Sequence, residues 1–114
     1  MVRIYHNPRC SKSRAALQLL NDRELHPEVI EYLDQPLNAA TLQDLLGKLG
    51  LEARQLLRKG EPEYRDLGLA DESLTQDRLI EAMVDHPRLI ERPIVVSDTG
   101  ARIGRPPESV LEIL

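Results

Sequence analysis

The sequence predicts a mixed α/β fold: a strand, a helix and a strand, then a helical insertion, then two strands and a closing helix. Three observations predict it. Short runs rich in β-branched residues and tyrosine stand at "VRIYH", "PEVIEYLD" and "PIVVS". Between them the apolar residues recur three and four apart, the spacing of one helix face. Proline, glycine and asparagine stand where one pattern gives way to the next. A chain of 114 residues fits one domain, residues 1–114, with room for a core that needs no metal or disulfide.

In order, "VRIYH" is a short strand that stops at the turn-forming pair Asn7-Pro8. From Ser11 the pattern becomes helical, with Ala15, Ala16, Leu19 and Leu20 on one face and an end near Asn21-Asp22. Val29 to Leu33 is the second strand, and this strand, helix, strand order favours a right-handed parallel unit. A helix follows with Asn38 as its cap, Leu42, Leu45, Leu46 and Leu49 inward, and Gly50 as its stop. Short helical pieces are expected over Glu52 to Arg58 and Glu63 to Leu67. Thr75 caps a longer helix carrying Leu79, Ile80 and Met83 as far as His86-Pro87. "PIVVS", a turn at Asp98-Thr99-Gly100 and "ARIG" form a hairpin, with Pro93 at a strand start where its missing N–H is tolerated. Pro106-Pro107 introduces a last helix with Val110, Leu111 and Leu114 inward.

Composition excludes several classes of function. The net charge is −4, and with three Tyr, no Phe and no Trp there is little on which a nucleic-acid base could stack. No apolar run approaches the length of a membrane span. A single cysteine and an opening without a signal-peptide pattern point to a reducing cytoplasm. One Cys and three scattered His have no metal-ligand spacing, so no metal is expected. His26 and His86 each precede a proline and read as turn residues. Composition suggests a monomer.

The lone thiol, Cys10, lies between the first strand and the first helix, in "IYHNPRCSKS". Free cysteine is often a buried, inert filler. Alternatively, a cysteine at a helix N-terminus among His6, Arg9, Lys12 and Arg14, with the hydroxyls of Ser11 and Ser13 nearby, sits where a thiolate is favoured. The flanking Pro-Arg and Ser-Lys-Ser favour this second reading. A thiolate needs an electrophile, and the cations hint at one: of the 15 basic residues twelve are Arg and three Lys. Most of these serve solvated faces. Arg58, Arg92 and Arg105, however, each stand at an element boundary beside Gly or Pro or one residue from it. Converging, they would bind a doubly charged tetrahedral oxyanion.

Taken together, "IYHNPRCSKSR", "LLRKGEPEYRDLGL", "LIEAMVDHPRLIERPIVV" and "ARIGRPPESVLEIL" resemble the ArsC family of glutaredoxin-dependent arsenate reductases over essentially the whole chain. The resemblance implies a thioredoxin/glutaredoxin-like fold with a helical insertion, and a cis bond at Arg92-Pro93 beside the site. It implies Cys10 as the nucleophile, His6 and Ser13 as residues favouring the thiolate, and Arg58, Arg92 and Arg105 as the substrate arginines, with Asn7 and Arg14, in the same loop as Cys10, also as substrate-binding residues. The implied reaction runs through a cysteine–arsenate adduct and needs no bound cofactor. Because residue 13 is Ser and no second cysteine exists, the adduct needs an external thiol, implying glutathione as co-substrate and glutaredoxin as partner. Two alternatives share the scaffold. One is thiol chemistry on another oxyanion or a glutathione adduct. The other is an adaptor like the Spx-type regulators, which bind RNA polymerase and use a two-cysteine switch that Ser13 would here disable.

Overall fold

The computed structural model describes residues 1–114 and forms one four-stranded mixed sheet, of order β2-β1-β3-β4. The strands are β1 (Arg3–Tyr5), β2 (Glu28–Ile30), β3 (Ile94–Ser97) and β4 (Gly100–Ile103). β1 runs parallel to β2 and antiparallel to β3, with Ile4 opposite Val29 on one side and Val95 on the other. β3 and β4 form the expected hairpin, closing at Ser97 opposite Gly100. This is the predicted thioredoxin-like arrangement. The chain divides into two compact units, residues 1–35 with 92–114 and residues 36–91.

In the first unit the parallel β1/β2 pair is joined through α1 (Ser11–Asp22). Its core is Ile4, Ala16, Leu20, Val95, Val110 and Ile113, lined by Val2, Leu17 and Leu19. Each large aliphatic side chain so buried contributes about 1.5–3 kcal/mol. The inward stripe of α1 differs from the expected one: Ser13, Ala16 and Leu20 are buried while Ala15 faces solvent. An inward serine breaks the apolar pattern that the sequence reading relied on.

Two further elements differ. The second strand stops at Ile30 instead of Leu33, because the carbonyl of Glu31 accepts from the N–H groups of Asp34 and Gln35, both at 2.9 Å, and turns the chain. The closing segment, Pro107–Ile113, is a 3₁₀ helix. Side chains three apart eclipse in that geometry, so Val110 and Ile113 are the inward pair and Leu114 is exposed.

The second unit is helical: α2 (Ala39–Leu49), α3 (Ala53–Leu56), α4 (Pro62–Asp66), α5 (Gln76–Asp85) and a 3₁₀ turn at Pro87–Leu89. The expected caps are present. Asn38 accepts from the Thr41 N–H at 2.8 Å, Thr75 accepts from that of Arg78 at 3.2 Å, and Gly50 closes α2 in the left-handed region at φ 69. α3 ends before the expected Arg58, because Leu57 is extended and pairs antiparallel with Ile90. α4 begins and ends one residue earlier than expected, with Pro62 at its first position. No helix is long and apolar enough to cross a membrane.

Candidate active site

The loop between β1 and α1 is built from its own polar groups. The His6 N–H donates to the Ile30 carbonyl at 2.8 Å, prolonging the β1/β2 pairing by one residue. The chain then turns: the Cys10 N–H donates to the Asn7 carbonyl at 3.0 Å, and the Asn7 side-chain oxygen accepts from the Arg9 N–H at 3.0 Å. Arg14 Nη1 donates to the Pro8 carbonyl at 2.9 Å. Asn7 and Arg14, expected as substrate-binding residues, hold the backbone that carries the cysteine.

Cys10 is the N-cap residue of α1, with extended backbone, and its side chain caps nothing. The first helical bond runs from the Arg14 N–H to the Cys10 carbonyl, so the N–H groups of Ser11, Lys12 and Ser13 have no acceptor within the helix. These are the donors that an anion at a helix start uses. The sequence posed burial and a place among cations as alternatives, and the structure shows both features. Cys10 is only 9% exposed, yet Arg105 Nη1 faces its Sγ at 4.0 Å. The same Nη1 is 3.2 Å from the Arg92 carbonyl, which accepts from it.

Arg105 reaches this position because the start of β3 and the end of β4 lie close together. The Gly104 N–H donates to the Pro93 carbonyl at 2.9 Å. A Cβ on Gly104 would come within 2.9 Å of Pro93 Cγ and 3.3 Å of Ala16 Cβ. The Arg92–Pro93 bond is cis, as the resemblance implied, and so is Arg105–Pro106. The sequence analysis gives Gly104 no part in this close approach, although a Gly just before a candidate arginine was a signal.

His6 and Ser13 are buried together. His6 Nδ1 lies 2.6 Å from Ser13 Oγ, and that oxygen also accepts from the Asn7 N–H at 3.0 Å. Burial pushes the pKa of His6 below its ordinary value. Glu31 opposes this shift, while the Arg14 cation adds to it. The neutral ring so favoured shares one proton with the serine hydroxyl, in one direction or the other.

Arg58 belongs to the helical unit, where its N–H donates to the Leu89 carbonyl at 2.7 Å. Its guanidinium is held by carboxylates: Nη1 donates to Glu61 Oε1 at 2.5 Å, and Nε lies 3.5 Å from Glu91 Oε1. Glu61 also accepts from Arg88 Nη2 at 3.0 Å. None of Glu61, Arg88 and Glu91 was singled out from sequence. The three-residue spacing of Arg58 and Glu61 was a local signal for one pair, but Arg88 offers none.

Comparison with known proteins finds relatives over nearly the whole chain. The sequence profile described as the ArsC family matches residues 5–113. The chain is 60% identical to the uncharacterized protein YfgD of Escherichia coli (strain K12), covering 99% of this chain and 96% of that one. It is 47% identical to the arsenate reductase of Neisseria meningitidis serogroup B (strain ATCC BAA-335 / MC58), covering 99% and 97%. Among solved structures it is similar to the arsenate reductase from Vibrio cholerae, with a TM-score of 0.97 and 52% identity over 99% of this chain and 97% of that one.

Proposed function

The chain belongs to the ArsC family, and on that premise we propose that it reduces arsenate to arsenite with Cys10 as nucleophile. The observation that carries this reading is the Arg105 guanidinium facing the only thiol of the chain, 4.0 Å from its sulfur, at the start of α1. The helix N-terminus and the cation favour negative charge at one point, first on the thiolate and then on the oxygens of the substrate.

Cys10 Sγ attacks arsenic and a hydroxide or water leaves, giving a cysteine–arsenate adduct. Arg105, Arg92 and Arg58 act as donors to the arsenate oxygens, and their planar N–H forks suit a tetrahedral oxyanion. Asn7 and Arg14 hold the loop in which the attack occurs, and His6 and Ser13 hold the inner side of α1 beside it. Reduction of As(V) to As(III) requires two electrons, and the chain has no second thiol to supply them. Glutathione, as co-substrate, bonds to arsenic with loss of a second water; a glutaredoxin thiolate then attacks the glutathione sulfur, so that a glutaredoxin–glutathione disulfide forms, the electron pair of the arsenic–sulfur bond stays on arsenic, and water releases arsenite from Cys10.

The experiment is arsenate-dependent NADPH consumption in the presence of glutathione, glutaredoxin and glutathione reductase. Wild type is expected to turn over and Cys10→Ser to lose all activity while keeping its urea midpoint. Residual turnover in Cys10→Ser rejects Cys10 as the nucleophile. A wild type without turnover rejects arsenate as the substrate.

A further inference from the structure

We infer that Glu61, anchored by Arg88, is a positioning residue that orients the Arg58 guanidinium toward the oxyanion, an inference that rests on the reading of Arg58 as a substrate donor given above. Arg58 is fixed first through its backbone. Its N–H donates to the Leu89 carbonyl at 2.7 Å, Leu57 pairs with Ile90, and the Glu91 N–H donates to the Leu56 carbonyl at 2.9 Å. A long side chain on a fixed backbone still samples many rotamers, and ordering it on substrate binding costs affinity. Two carboxylates remove that freedom before substrate arrives. Glu61 takes Nη1 and Glu91 stands beside Nε, so Nη2 with its two N–H groups is the part of the fork that neither carboxylate claims.

Glu61 is itself well placed to hold its partner. It is the N-cap residue of α4, before Pro62, and its N–H donates to the Arg58 carbonyl at 3.4 Å. Its side chain is only 15% exposed, and both carboxylate oxygens are used, Oε1 on Arg58 and Oε2 on Arg88. Arg88 therefore does two things. It fixes the second oxygen of Glu61, and it offsets a negative charge that would otherwise stand beside Arg58 together with Glu91 and repel an incoming oxyanion. Glu63 Oε2, 3.9 Å from Arg88 Nη1, steadies Arg88 in turn.

The test compares Glu61→Ala, Glu61→Gln, Arg88→Ala, Arg58→Ala and Glu61→Ala with Arg88→Ala. The readouts are KM and kcat for arsenate, the urea midpoint, and the width of the Arg58 Nε–H signal in NMR. Glu61→Ala should raise KM about tenfold with kcat nearly unchanged, and should sharpen the Arg58 signal as the side chain is released. Glu61→Gln retains one acceptor for Nη1 but turns an amide NH2 toward Arg88 where Oε2 stood, so it should raise KM about threefold, as Arg88→Ala does. Arg88→Ala should raise KM by roughly threefold, and the double variant should be no worse than Glu61→Ala alone, because both act through one chain of contacts. If Glu61→Ala does not fold, Arg88→Ala decides, since its side chain is largely exposed: a wild-type KM there overturns the inference.

Other outcomes separate the two layers of the argument. A raised KM in Arg58→Ala with a wild-type KM in Glu61→Ala overturns the positioning role and leaves Arg58 as a donor. A lowered KM in Glu61→Gln overturns it as well, because Glu61 would then be a competitor for Arg58. A wild-type KM in Arg58→Ala rejects Arg58 as a substrate donor, and the inference falls with it.

Discussion

One nitrogen of Arg105 serves both the backbone and the thiol: Nη1 donates to the Arg92 carbonyl at 3.2 Å and stands 4.0 Å from Cys10 Sγ. The carbonyl holds the guanidinium in the position from which it meets the sulfur. Arg105→Ala should lower kcat/KM for arsenate by about a hundredfold, the usual cost of losing one preorganised donor. It should also slow alkylation of Cys10 by iodoacetamide at neutral pH, since the thiolate is the reacting form. Arg105→Lys keeps the charge but loses the fork, and should recover the alkylation rate more fully than the turnover. Equal alkylation rates in wild type and Arg105→Ala would show that the cation does not act on the sulfur.

The His6 ring is buried with its pKa held below the ordinary value. The unfolded chain therefore binds a proton at His6 more readily than the folded one. This disfavours folding as pH falls through the unfolded value near 6.5, and the penalty is absent above it. The urea midpoint of wild type should drop between about pH 7.5 and about pH 5.5, and that of His6→Gln should drop less. Parallel slopes for the two proteins would remove His6 as the titrating group.

Gly104 lies in the path of any side chain. In Gly104→Ala the new methyl would stand 2.9 Å from Pro93 Cγ, 3.3 Å from Ala16 Cβ and 3.4 Å from Val110 Cγ1. Either the start of β3 or the face of α1 must give way. The expected cost is about 1–3 kcal/mol by urea denaturation. Arsenate turnover should fall as well, because the displaced segment carries Arg105. A variant with wild-type stability and activity would show that the close approach is not needed.

The parts of this fold that were legible in the sequence are those where local chemistry and the apolar period agree. Asn38 and Gly50 bound α2, and Thr75 starts α5, because a capping side chain or a left-handed glycine acts within four residues of where it stands. The hairpin at Ser97 and Gly100 follows from the same local logic. The sequence places the Ser13 hydroxyl near the thiol but not inward; it lies fully buried on the inner face of α1, since its partners, the His6 ring and the Asn7 N–H, come from the preceding strand and loop. The last segment was read as an α-helix. The 3₁₀ form shows in hydrogen bonds three residues apart, from the Ser109 N–H to the Pro106 carbonyl and from the Leu114 N–H to the Leu111 carbonyl. At the site, the order of residues around Cys10 indicated charge at a helix start. The 95-residue separation of Cys10 and Arg105 left their approach to the resemblance, since spacing alone does not show it; it depends on how β4 ends.

Ser13 stands three residues after Cys10, where a second cysteine would allow the chain to close its own disulfide. Its oxygen accepts from the Asn7 N–H and shares a proton with His6, and its side chain is wholly enclosed. A sulfur there would be larger and a poorer acceptor, and would leave a buried amide and a buried imidazole short of a partner. Conversion of this protein to a self-resolving enzyme is therefore not one substitution away. On the proposed mechanism, the hydroxyl that fits the loop to the helix leaves the adduct to borrowed thiols, and any evolutionary or engineered route to independence must rebuild the surroundings of Ser13 first.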